Sequence, residues 1–179
     1  MRERPSDPNP YRSFMTKAKP KKKPLILIGW QERIDLPVLG LTNMIAKIDT
    51  GARTSALHAT DITRFDKDGA AWVRFHTRFD DDVRDTWVEC RIHETRHIKN
   101  TSGVPQDRIV IRTKFRIAGH LWSIDLSLTD RENMRFRMIV GRSALRNHPI
   151  AVHTQRRLLT DRDRLTLTPT PPSTARIAP

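Results

Sequence analysis

Residues 109–128 read IVIRTKFRIAGHLWSIDLSL. Ile109, Ile111, Thr113, Phe115 and Ile117 fill one side of a period-two alternation, with Arg112, Lys114 and Arg116 on the other. After Ala118-Gly119-His120 the alternation resumes with Trp122, Ile124, Leu126 and Leu128. Residues two apart share one face of a strand, so the stretch predicts a β-hairpin with an apolar face and a short glycine-containing turn. Working outward, Trp72–His76 and Trp87–Ile92 read as two more strands flanking the turn-like Asp80-Asp81-Asp82. Leu25–Trp30, Ile34–Leu39 and Met44–Ile48 form an N-terminal strand set. Met138–Val140 is short, apolar and followed by Gly141, and Val152–Leu159 reads as a last edge strand. Only Arg142–Arg146 suits a helix, a short one. Six or more short strands with turn signals between them predict an all-β sandwich or barrel.

The chain has 179 residues and a formal net charge of +13. That length fits one domain with tails and is long enough to bury a core. No apolar run exceeds four residues (Leu25–Ile28 is one such run), far short of the ~20 that span a bilayer. It is also too short for the apolar stretch of a secretory signal, so a soluble, cytoplasmic protein without membrane contact is expected. The single cysteine, Cys90, excludes an internal disulfide framework and a four-cysteine zinc site. Residues 1–24 hold eight basic residues against two acidic ones, with prolines and almost no apolar pattern, and are expected to be a disordered basic arm. Residues 160–179 end in a Thr- and Pro-rich run and are expected to be a disordered tail, leaving 25–159 as the domain. The domain is itself basic, so polyanionic partners are expected: an acidic peptide, or a ribosome or RNA contact made through the arm.

The segment richest in chemistry is Ala46-Lys47-Ile48-Asp49-Thr50-Gly51-Ala52. A strand ends in a carboxylate, Thr50 follows, and Gly51 permits a tight turn or a close backbone approach. A lone Asp-Thr-Gly is a weak signal, and an Asp in an ordinary turn is the plain alternative. Its weight rises because a second element, Ile139-Val140-Gly141, follows a hairpin downstream.

Together, Asp49-Thr50-Gly51-Ala52 and Ile139-Val140-Gly141-Arg142 resemble the two-part pattern of retropepsin-like aspartic peptidases. The wider strings Gly29-Trp30, Ala46 to Ala59, Phe136 to Arg142 and Ala144-Leu145-Arg146 are similar to a more specific group. This is a bacterial and archaeal group commonly labelled ATP-dependent zinc protease, which includes the RimB-type proteins. The resemblance covers about residues 28–160. It implies a closed retropepsin-like β-barrel with one short helix. RimB-type members are linked to a glutamate ligase and trim α-linked polyglutamate tails from a ribosomal protein. The implied activity is therefore that of an aspartic endopeptidase on acidic peptide segments, such as a polyglutamylated protein. The implied catalytic residues are Asp49, Thr50 and Gly51, with Ala52, Arg53 and Arg142 binding substrate and Ile139, Val140 and Gly141 as the structural second motif. Such chemistry needs two carboxylates sharing a proton, because like charges about 3 Å apart do not both ionise. One Asp-Thr-Gly per chain then implies a homodimer. No metal and no cofactor is implied. In retroviral members the position of Arg53 is usually acidic and pairs with the later Arg, retained here as Arg142. Arg53 and Arg142 would then meet an anionic substrate, aided by Arg112, Lys114 and Arg116 if their face reaches the cleft. A flap over the cleft is expected at Lys99–Asp107, around Ser102-Gly103.

Two other functions are open on the residues alone. One is a non-catalytic RNA- or ribosome-binding module using the basic arm. The other is a zinc peptidase using His93-Glu94-Thr95-Arg96-His97, which matches H-E-x-x-H. That motif needs a helix, whereas the preceding Trp87–Ile92 alternates as a strand, on which residues four apart lie roughly 13 Å apart. Cys90 alternates with Val88 and Ile92 and is expected to be buried. The four Trp are expected to pack rather than to serve as stacking platforms.

Overall fold

The computed structural model describes residues 24–79, 82–99 and 105–161. The basic arm, the turn at 80–81, the centre of the expected flap and the tail beyond 161 lie outside the described residues.

Among the described residues, eleven strands and one short helix follow in order: β1 (Ile26–Gly29), β2 (Gln31–Leu36), β3 (Leu41–Asp49), β4 (Ser55–His58), β5 (Thr60–Lys67), β6 (Ala70–Phe79), β7 (Asp82–Lys99), β8 (Pro105–Ile117), β9 (His120–Thr129), β10 (Met138–Gly141), α1 (Arg142–Leu145) and β11 (Ile150–His153). A 3₁₀ turn, Pro37–Leu39, links β2 to β3. β2, β3, β10, β4, β9 and β8 are hydrogen-bonded in that order, and β8 returns to β2 through Asp35 and Arg116. The ring is a closed six-stranded barrel, so its strands leave no open edge. The fold is all-β, as the alternation requires.

The hairpin at 109–128 is β8 and β9. Ala118 and Gly119 take φ of 49° and 72°, the mirror-image turn whose twist matches that of paired strands. Its apolar face supplies Ile111, Phe115, Ile117, Ile124, Leu126 and Leu128 to the barrel core, where Ile34, Leu36, Met44, Ile48, Leu57, Met138 and Val140 meet them. Phe115 is fully buried. β7, β6 and β5 continue the sheet outward from β8, and β1 pairs in parallel with β11 as a separate ribbon.

Three local readings change. The strand expected over 34–39 ends at Leu36, because Pro37 has no amide to donate and opens the 3₁₀ turn. The strand expected over 152–159 ends at His153. Residues 156–160 instead form a strap on β1 and β2, anchored by the buried Glu32 carboxylate. Glu32 accepts from Gly29 N (2.6 Å), Leu159 N (2.9 Å), Thr160 N (3.3 Å) and Thr160 Oγ1 (2.7 Å). Thr160 is buried, so the folded part runs past the boundary drawn at 159. β4 and β5 carry no strand signal. All four β4 residues are buried, which erases alternation, and β5 is a polar end strand.

Candidate active site

Asp49 is the last residue of β3, and the parallel pairing of β3 with β10 sets Lys47, Ile48 and Asp49 beside Ile139, Val140 and Gly141. The two sequence motifs, ninety residues apart, are thus neighbours. Chain direction reverses after Asp49 in a turn whose amides face the carboxylate. Gly51 N and Ala52 N both donate to Oδ1 at 3.1 Å, and Ala52 N also reaches the Asp49 carbonyl at 3.2 Å. Lys47 Nζ donates to Oδ2 at 3.1 Å from two residues back on the same strand face. Burial alone would raise the Asp49 carboxyl, but the Lys47 ammonium and the two amides outweigh it and hold it below its ordinary value. The result is an anionic, oriented carboxylate with one oxygen fixed by backbone and the other by the Lys47 side chain.

The second motif braces this turn. Arg142 N donates to Ala52 O at 2.9 Å, Ser143 N to Arg53 O at 3.0 Å, and Gly141 N to the buried Ser55 Oγ at 3.1 Å. A Cβ on Gly141 would stand 2.6 Å from the Thr54 carbonyl carbon and oxygen, so glycine here admits a backbone rather than a turn. Arg142 Nη1 donates to Thr50 O (2.8 Å) and Gly51 O (3.0 Å). Its guanidinium therefore locks the loop. Arg53 and Thr50 are exposed, and Thr50 serves the loop through its carbonyl. Ser55 and Lys47 had no singled-out role in the sequence, although the spacing of Lys47, two before Asp49 on a strand, already placed both on one face.

Arg112, Lys114 and Arg116 alternate with buried Ile111, Thr113, Phe115 and Ile117 and so point away from the barrel core. Arg112 Nε donates to Asp125 at 2.8 Å, and Arg116 lies 3.9 Å from Asp35. Arg112 is thus held by the half-buried Asp125, and Arg116 lies beside the buried Asp35. Of the expected flap, the tip at 100–104 lies outside the described residues. Its stem is the pairing of Lys99 with Pro105, and Gln106, Asp107 and Arg108 line an open cavity of about 520 Å³ with Asp61 and Asp130.

The H-E-x-x-H match lies on β7, not on a helix. A bulge between Ile92 and Glu94 brings His93, Glu94 and Asp125 to within 4.8 Å of one another. Arg96 takes both carboxylates and Arg112 also binds Asp125, while His97 pairs with Asp107 at 2.6 Å. The zincin arrangement, two His of one helical turn on one ion, is not formed. Cys90 is largely buried, which pushes its thiol up to about 11. His58 is buried and accepts from Arg131 N at 3.0 Å. Trp87 departs from the packing role expected of it, with 51% of its surface exposed.

A closed six-stranded barrel with a single strand-end Asp, gripped by the amides of its own turn and braced by an apolar-apolar-Gly strand, defines the retropepsin-like class. The family model described as RimB-like, "Retropepsin-like aspartic endopeptidase RimB", matches residues 27–163, and the chain belongs to this family. The chain is 36% identical over 123 residues to the probable alpha-L-glutamate ligase of Shewanella halifaxensis (strain HAW-EB4), covering 68% of the chain and 27% of that protein. It is 40% identical over 124 residues to the probable alpha-L-glutamate ligase of Desulfotalea psychrophila (strain LSv54 / DSM 12343), covering 66% and 26%. The chain thus spans about a quarter of the length of the curated relatives it matches. A crystal structure of a Legionella pneumophila protein of unknown function superposes with a TM-score of 0.64 at 25% identity, covering 75% of this chain and 97% of that one. These relatives correct the expected activity. They are named ligases, which join glutamate, whereas the sequence reading expected an endopeptidase cleaving acidic segments. What holds is membership of an enzyme family. Among the described residues no helix is long and apolar enough to cross a membrane.

Proposed function

We propose that the chain is an aspartic-type enzyme domain that serves α-L-glutamate ligation in the cytoplasm, acting on glutamyl groups alongside the part of the system that joins them. The observation that carries the reading is the Asp49 carboxylate, oriented by Gly51 and Ala52, held as an anion by Lys47, and set in a chain whose matched part covers about a quarter of the related ligases. A carboxylate so held is a general base, able to take a proton from a nucleophile that hydrogen-bonds to it. A second copy of the chain would supply a second carboxylate, and the pair would share a proton and titrate as one unit. Exposed Arg53, three residues after the turn begins, suits the side-chain carboxylate of a glutamyl group, since a guanidinium fork matches a carboxylate.

The test is a ligation reaction containing an α-L-glutamate ligase, ATP, glutamate and acceptor, run with and without this chain. Product lengths are read by mass spectrometry. The wild-type chain should change the distribution of glutamyl lengths, and Asp49→Asn should leave it as the ligase alone makes it. A distribution indifferent to the wild-type chain would refute the proposal, and one changed equally by Asp49→Asn would refute the acid–base role.

A further inference from the structure

The sheet formed by β5, β6 and β7 has two faces. Val73, Phe75 and Val88 turn inward to the core. The strand registers set the opposite face in three rows of three. Phe65, Trp72 and Arg91 lie side by side, then Thr63, Arg74 and Glu89, then Thr60, His76 and Trp87. Lys67, opposite Ala70, lies one row beyond the first on the same face, with its ammonium 4.9 Å from the Trp72 ring centre. The Arg74 guanidinium lies 4.4 Å from the Trp87 ring centre, and His76 and Trp87 have ring centres 5.3 Å apart. Phe65 and Trp72 have ring centres 6.4 Å apart. Arg74, Arg91 and Lys67 are exposed, Trp87 is half exposed, and Glu89 is the acidic group among these rows.

Burial does not account for this composition. A tryptophan left half in water loses much of the stabilisation that hiding its apolar surface would give. Aromatic rings at alternate rows, separated by arginine, match what an unpaired nucleic acid strand presents. Bases offer flat π-faces for stacking, and phosphates alternate with them along the backbone. Trp72 and Trp87 are two rows apart on neighbouring strands, on the order of 13 Å at strand spacing. That separation leaves Arg74 between the two rings, where a phosphate joining the stacked bases would pass. The net charge of the face is positive, opposite to that of the strand.

We propose that the outer face of β5–β7 binds single-stranded nucleic acid, with Trp87 and Trp72 stacking bases and Arg74, Arg91 and Lys67 meeting phosphates. The surface is independent of the Asp49 site and would operate whatever reaction that site performs.

The experiment uses the full chain and a fluorescein-labelled, non-self-complementary 12-nucleotide RNA, with binding read by anisotropy over a salt series. The same sequence as single-stranded DNA and as duplex RNA provides the comparison arms, and a poly-α-L-glutamate 12-mer is the competitor. Trp87→Ala should weaken binding of the single strand roughly tenfold or more, the range for loss of one stacked base. Trp87→Phe should stay within about threefold, since a ring remains. Arg74→Ala should reduce the salt slope by about 0.7, the value for one phosphate contact on a single strand. Duplex should bind more weakly than single strand. Tighter binding of RNA than DNA would add a contact to the 2′-hydroxyl, and equal binding would limit recognition to bases and phosphates; both support the proposal. It is overturned if Trp87→Ala and Arg74→Ala, melting like wild type, bind as wild type does, for the basic arm would then account for binding. Duplex binding equal to single-strand binding would also overturn it. So would displacement of the RNA by poly-α-glutamate at equal charge concentration, which would mark the face as one for acidic proteins.

Discussion

Replacing Gly141 by Ala tests whether the Asp49 turn is held by close backbone packing. The added Cβ would lie 2.6 Å from the carbonyl carbon and oxygen of Thr54 and 2.9 Å from its nitrogen. Ordinary carbon contacts sit at about 3.5–4 Å, so one backbone must retreat by roughly 1 Å. The obstacle is main chain, not the end of a flexible side chain, and it is tethered. Arg142 N and Ser143 N bind the carbonyls of Ala52 and Arg53, and Gly141 N binds Ser55 Oγ. β10 has no room to yield either, since it lies between β3 and β4 in the barrel. Gly141 has φ of −82° and ψ of 169°, extended backbone open to alanine, so the whole cost is steric. Overpacking costs about 1–3 kcal/mol, and loosening these hydrogen bonds puts the substitution near the upper end, at about 3 kcal/mol. At roughly 2–4 °C per kcal/mol for a chain of this size, Tm should fall by about 6–12 °C. Thermal unfolding followed by circular dichroism gives the first readout. Amide exchange at Gly51 and Ala52 gives the second, and it should quicken as the turn loosens. Gly69→Ala is the control. Gly69 has φ of +71° and nothing within 4 Å of a new Cβ, so its cost of about 1–2 kcal/mol comes from conformation alone. It should leave exchange at Ala52 untouched. A Gly141→Ala chain melting within about 2 °C of wild type, with exchange at Ala52 unchanged, would refute the bracing argument.

Glu32→Ala should be among the most damaging single changes, at about 3–5 kcal/mol, because three backbone amides and a hydroxyl lose one buried carboxylate; a loss under about 1 kcal/mol in a denaturant titration would show that the strap holds without it. Asp49 has its carboxyl held below 3.8. A depressed carboxylate stabilises the fold above its unfolded value and loses that contribution as pH falls through its folded value. Asp49→Asn should therefore melt below wild type at pH 7, by less than about 1 kcal/mol since Lys47 is partly exposed, and the two curves should converge as pH drops below about 4; a gap that widens on acidification would reverse the sign argued here. His97→Ala should cost no more than about 1 kcal/mol, as expected of an exposed pair with Asp107, and should leave the zinc content of the purified protein unaltered; zinc lost with His97 would revive a metal role for the motif. Phe115→Ala should cost about 3–5 kcal/mol from the cavity it leaves in the barrel core, a value that a chemical denaturation midpoint will decide.

The barrel was legible where one face of a strand is wet and the other dry. β8 and β9 alternate from Ile111 to Leu126 because each has solvent on one side there, while Ile109-Val110-Ile111 and Leu126-Ser127-Leu128 are buried on both faces, and the positive-φ pair Ala118-Gly119 marks the reversal. β4 was not legible because Ser55, Ala56, Leu57 and His58 are buried on both sides. β5 was not legible because its burial comes from one partner only and its residues are mostly exposed. The strap at 156–160 has no periodicity to read, since it is held by a carboxylate 127 and 128 residues away in sequence. At the site, the Asp49 turn is local and its hydrogen bonds are those an Asp-x-Gly reversal makes. The role of Gly141 is not local. It depends on Thr54 crossing β10, which no spacing within either motif records.

The exposure of Trp87 follows from the alternation of its own strand. Alternation that turns Val88 inward, with Cys90 and Ile92 following it, turns Trp87, Glu89 and Arg91 outward. Trp72 is subject to the same rule, since Val73 and Phe75 point to the core. A packing role for these rings would need something laid over the outer face of β5–β7. Among the described residues the sheet order ends at β5, and the barrel closes without these strands through the pairing of β8 with β2. The extension is therefore dispensable to closure, yet it carries two tryptophans, each with a cation over its ring. Each cation is worth on the order of 0.5–1 kcal/mol at an exposed site, too little to justify leaving that much apolar surface in water. The sheet's outward chemistry is better explained by what it meets than by what it stabilises.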